Sequence, residues 1–145
     1  MKSHWVRKNL FVRSQASMHL KFKKFWLLLG LGSVALVLFL SLAPDLPDTG
    51  VPEGMKVGHV LAYSWLMLWF AQIYRSTAAR YRLAITFCLM GIGLEYVQGL
   101  TDYRGFEYSD MLIDSAGVGL GLLLCCTGLQ NILMRLEALV LRRIA

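Results

Sequence analysis

Charged side chains are scarce in this sequence: Asp, Glu, Lys and Arg make up 17% of 145 residues, against 57% hydrophobic. With a mean hydropathy of +0.53, that scarcity excludes an ordinary soluble domain of this length and points to the membrane class. Cysteine is scarce as well. Cys88, Cys125 and Cys126 all lie inside apolar runs, with no CxxC and no Cys/His ligand spacing. A secreted disulfide framework and a structural zinc site are thereby excluded, and the three read as small buried apolar side chains. No internal repeat, low-complexity tract or nucleophile motif is present.

Acids are fewer than bases, leaving a net charge of +6. Its distribution argues against nucleic acid as the partner. Seven Lys or Arg precede the first apolar run, three (Arg75, Arg80, Arg82) sit in a middle connection and three (Arg135, Arg142, Arg143) in the tail. Bases on alternate connections are what the positive-inside rule expects of cytoplasmic ones. Eight of the nine acids fall on the other connections or next to them, and Glu137 alone falls inside.

Residues 1–24 form a basic leader suited to an anionic lipid surface, with Met18 opening a second compact start of its own. Residues 25–43 are an uncharged apolar run long enough to cross a hydrocarbon core of about 30 Å. Ser41-Leu42-Ala43 resembles a signal-peptidase site, but the run exceeds the roughly 7–15 residues of a signal h-region, so a retained span is expected. Pro44, Pro47 and Pro52 mark a stiff extended connection from 44 to 56.

Further apolar segments are expected over 57–74, 83–99 and 111–132. The sequence thus predicts an all-α protein: a four-helix transmembrane bundle over residues 25–132, the leader before it, and an amphipathic basic tail over 133–145 lying on the membrane surface, both termini cytoplasmic.

The organising stretch runs from Gly91 to Gly121. Cys88, Gly91, Glu95 and Gln98 share one helical stripe, and Asp110, Asp114, Gly117 and Gly121 share another. Gly91, Gly117 and Gly121 are expected to admit a neighbouring helix closely. His59 and Tyr63 share a face in the second segment, and Ser109 is expected to cap the fourth. The topology puts Lys56, His59, Tyr63, Glu95, Gln98, Arg104, Asp110 and Asp114 at one membrane face, where clustered polar groups are costly and mark a site.

Two chemistries fit that cluster. In a binding module Arg104 and Lys56 hold a phosphate or carboxylate, Tyr63 and Tyr103 flank an apolar part, and Glu95 and Gln98 accept hydroxyl or amide donors, with Asp114 an added acid. In an enzyme His59 is the acid or base, oriented by Glu95 or Asp110, with Arg104 steadying negative charge. In a purely structural reading the same groups only join helices. No metal or other cofactor is expected, since His4 and His19 lie on the opposite side from His59.

The ordered set Lys56-x2-His59-x3-Tyr63, Glu95-x2-Gln98 and Arg104-x5-Asp110-x3-Asp114-x2-Gly117-x3-Gly121 resembles the VanZ-like family, named for the teicoplanin resistance protein. The resemblance covers about two thirds of the chain, from Met55 to Leu124. This chain departs from the pattern at Met55, where members commonly have Asp, and at Asp114, where they commonly have Asn. The resemblance implies a small multi-pass protein of the bacterial cytoplasmic membrane, linked to glycopeptide susceptibility. The expected partners, on the binding reading, are membrane lipids and a lipid-linked cell-wall precursor or anionic lipid headgroup.

Overall fold

The computed structural model describes residues 20–44, 52–102 and 105–144. Most of the leader, the loop acids Asp45 and Asp48, and the expected ligand contacts Tyr103 and Arg104 lie outside the described residues. Among those described the chain is all α, without a strand. Helices α1 (Lys23–Leu42), α2 (Pro52–Ile73), α3 (Thr77–Gln98) and α4 (Tyr108–Leu124) are followed by a 3-10 turn (Gly128–Asn131) and a tail helix α5 (Ile132–Ile144).

Local chemistry sets these bounds, and some differ from the sequence expectation. Ala43 is extended (φ −71, ψ 130) because Pro44 follows it, which stops α1. Pro52, expected within an extended loop, opens α2 instead, a first-turn position where its missing N–H costs nothing. The basic connection is also shorter than expected. Ser76 accepts from Ala79 N at 3.2 Å and starts α3 at Thr77, so Arg80 and Arg82 are already helical. Ser109, expected as the cap of α4, sits inside its first turn, and Glu107 takes the cap position. The fourth segment breaks at residues 125–127, where Thr127 caps the 3-10 turn by accepting from Leu129 N. Beyond the break the chain turns by 73°.

The core follows from two helices that approach closely. A Cβ on Gly117 would stand 2.8 Å from the Val60 carbonyl oxygen, and one on Gly121 would stand 2.7 Å from Met67 Cβ. Only glycine permits that approach, and it makes α2 against α4 the most extensive helix pair. Ser64 Oγ donates to the Gly117 carbonyl at 2.9 Å across the same seam. Tyr63, Leu66, Met67, Phe70, Phe87 and Val118 fill the core around it. The opposite faces stay apolar: Leu28, Phe39, Leu61, Ile85, Leu89 and Leu112 are each more than 60% exposed. By length and composition α1 can cross a membrane, and α4 with the segment after its bend passes the same test as a pair.

At the end of the bundle where α1 begins, the tail is tied down by polar contacts. Arg75 Nη2 donates to Asn131 Oδ1 (2.8 Å), Arg80 Nη2 to Gln130 Oε1 (3.0 Å), and Leu133 N to Gln72 Oε1 (3.0 Å). Burial, and after it the neighbouring Arg80 charge, holds the Arg75 guanidinium below its ordinary pKa. Glu137, on the inward face of α5, accepts from Lys21 N (2.7 Å), Phe22 N (2.9 Å) and Trp26 Nε1 (2.6 Å). It satisfies donors at the start of α1 that no local side chain caps.

Candidate functional site

The second turn of α2 and the second turn of α4 cross at the far end of the bundle. There His59 Nδ1 and Asp114 Oδ1 are 2.8 Å apart, with side-chain exposures of 19% and 5%. His59 was expected to be oriented by Glu95 or Asp110, but Asp114 is the carboxylate that holds it. The glycine seam explains the pairing: Gly117, one turn below Asp114, brings α4 against the backbone of Val60, next to His59. With Nδ1 engaged, Nε2 is the ring nitrogen left without a partner among the described residues.

Gly91 on α3 makes room for this pair. A Cβ there would stand 2.7 Å from Asp114 Oδ2 and 3.2 Å from Tyr63 Oη. The Tyr63 hydroxyl is buried in that same space, beside the Asp114 carboxylate. Tyr63 itself is 2% exposed and packs in the core, so it does not present an open face to a ligand.

The other expected residues separate. Glu95 is 3% exposed, and its Oε1 accepts from Glu107 N at 2.6 Å, pinning the entry to α4. Asp110, in the first turn of α4, is half-buried and takes a contact from Ser109 Oγ at 3.3 Å. Gln98 Nε2 donates to the Ser41 carbonyl at 2.7 Å, tying α3 to the end of α1. Lys56 is exposed, one turn before His59. Among the described residues no three His, Cys, Asp or Glu side chains are placed to hold a metal ion.

Glu137 is the structural residue that the sequence reading missed. Its signal was present: Leu133, Glu137 and Leu141 recur at i, i+4 and i+8, so the one acid of the tail lies on an apolar face.

A Schizosaccharomyces pombe protein described as "Uncharacterized protein C11E3.10" is 33% identical over 111 residues, covering 72% of this chain and 63% of that one. The chain therefore spans less than two thirds of that relative. No solved structure matches it. The family model described as VanZ/LLP1 matches residues 2–133, which carry both the glycine seam and the His59–Asp114 pair. The chain belongs to the VanZ/LLP1 family.

Proposed function

We propose that this chain is a multi-pass membrane protein, crossing with α1 to α4, that engages a lipid-linked or envelope ligand at its His59–Asp114 end. Residues 25–132 form the membrane unit, the leader (1–24) and tail (133–145) lie on the cytoplasmic side, and the site faces outward. In a bacterium the host is the cytoplasmic membrane. Bases on alternate connections support this orientation, and the exposed apolar side chains around the bundle support lipid contact.

One observation carries the reading of the site: a His and an Asp, far apart in sequence, form a largely buried hydrogen-bonded pair within an apolar bundle. Ionisable groups inside spans are expensive, at about 2.5–3.5 kcal/mol for Asp at a helix centre, and by default mark function. His59 makes the polar contact to the ligand. Lys56 and Arg104 attract an anionic head, and the surrounding apolar faces take its hydrocarbon part. If the ligand is a wall precursor, altered glycopeptide susceptibility follows.

The free Nε2 favours a second reading, in which His59 acts as acid or base in a hydrolase or transferase, with Asp114 orienting it through Nδ1. The two readings part in one experiment. Purified protein is incubated with lipid-linked wall precursors and with phospholipids, beside His59→Ala. Saturable binding lost in the variant, without product, supports the binder; product that depends on His59 supports the enzyme. Identical behaviour of the two proteins contradicts both.

A further inference from the structure

A second site, unconnected with His59, lies at the opposite end of the bundle. A groove of about 730 Å³ runs between the first turn of α3 and the lower half of α4, from Ala116 to Cys126 just past the end of α4. We propose that it holds an acyl chain of an anionic phospholipid from the cytoplasmic leaflet, with the headgroup at Arg80. The proposal depends on the membrane orientation given above, but on none of the residues of the His59 site.

Three features point to this occupant. The first is length. Ala116 to Leu124 spans about 12 Å of helix, close to the half of a hydrocarbon core of about 30 Å that one leaflet supplies. The second is its lining. Ala116 and Gly119 form a low floor beside the exposed side chains of Leu120 and Leu123. A Cβ on Gly119 would meet nothing within 4 Å, in contrast to Gly117 and Gly121, which are filled by α2. The α4 helix therefore has one glycine face spent on packing and one left open.

The third feature is charge at one end only. Arg80 and the hydroxyl residues Thr77 and Tyr81 border the groove where α3 begins. Arg80 Nη2 is fixed by the Ala71 and Gln130 oxygens, which holds the guanidinium in place, while Nη1 donates to neither. The first turn of α3 adds the positive end of a helix dipole. Among the described residues no acid lines the groove, and Glu137, an acid at this end, is buried and committed to the start of α1. An anionic head thus meets attraction without a competing carboxylate.

The test uses full-length protein purified in detergent, with dioleoyl phosphatidylglycerol and dioleoyl phosphatidylcholine added separately and bound lipid counted by native mass spectrometry. Wild-type protein is expected to retain phosphatidylglycerol about fivefold better than phosphatidylcholine, the effect of one cation near an anionic head. Gly119→Leu, which fills the groove from an open position, should abolish retention of both lipids without lowering the melting temperature. Arg80→Gln should remove the preference and leave some binding. Equal retention of the two lipids by wild type, or retention unchanged in Gly119→Leu, overturns the proposal. So does a dimer that Gly119→Leu dissociates, because the occupant is then a second copy. Alkaline carbonate extraction separates the two ideas: a chain released from membranes defeats the membrane reading, whereas a retained chain without lipid preference defeats the groove alone.

Discussion

Glu137 and Trp26 lie 111 positions apart, yet the carboxylate accepts the indole N–H at 2.6 Å and takes two backbone N–H groups beside it. One tail residue thereby caps the first helix and fixes α5 against it. Glu137→Ala should cost about 1–3 kcal/mol, the penalty of leaving buried donors unsatisfied. Glu137→Gln keeps one acceptor oxygen and should lose less. Thermal melting in detergent, with protease cleavage of the tail as a second readout, measures both.

The glycines divide by what surrounds them. Gly121→Ala forces a methyl group to 2.7 Å from Met67 Cβ and 2.8 Å from the Ser64 carbonyl oxygen, and should destabilise by about 1–3 kcal/mol. Gly93→Ala meets nothing within 4 Å in the interior of α3, and should be neutral or stabilising by up to about 1 kcal/mol. Comparing their melting temperatures checks whether the α2–α4 seam, and not helix propensity, sets the bundle's stability.

Gly91→Ala probes the site through packing. Its methyl group would stand 2.7 Å from Asp114 Oδ2, so the carboxylate must shift and release His59. Ligand binding should fall as far as in His59→Ala, while the protein still inserts and melts cooperatively. Binding at the wild-type level would remove Asp114 from the account.

Asp114→Asn separates geometry from charge. The amide oxygen can still accept from His59 Nδ1, so the ring orientation survives, but the buried negative charge is gone. Asp114→Ala loses both. If charge matters, Asn and Ala variants should lose binding alike. If orientation matters, Asn should behave as wild type and only Ala should fail; titration calorimetry with the ligand decides between them.

The helical stripes of α3 and α4 were legible because i, i+3 and i+4 spacing places residues on one face whatever they contact. Gly117 and Gly121 could therefore be named before any partner for them was known. The identity of His59's partner was not legible. Glu95, Asp110 and Asp114 all lie near the same end, and the choice among them depends on the crossing point of α2 and α4, which the packing of Gly117 on Val60 determines. The contact of Gln98 was not legible for the same reason: its neighbour is the Ser41 carbonyl, a backbone atom without a sequence signature. Helix starts shifted because Pro52 and Thr77 are compatible with loop and with first turn, and Pro52 in particular favours the latter once a helix follows.

The account rests on the His59 end facing out and the tail end facing in. Its most direct test is labelling of single cysteines, introduced into a cysteine-free background at Lys56, Asp110, Arg82 and Arg142, with a membrane-impermeant maleimide in intact cells. Positions 56 and 110 should label from the medium, and positions 82 and 142 only after permeabilisation. Labelling of 56 and 110 on opposite sides, or of 82 and 142 from the medium, would contradict it.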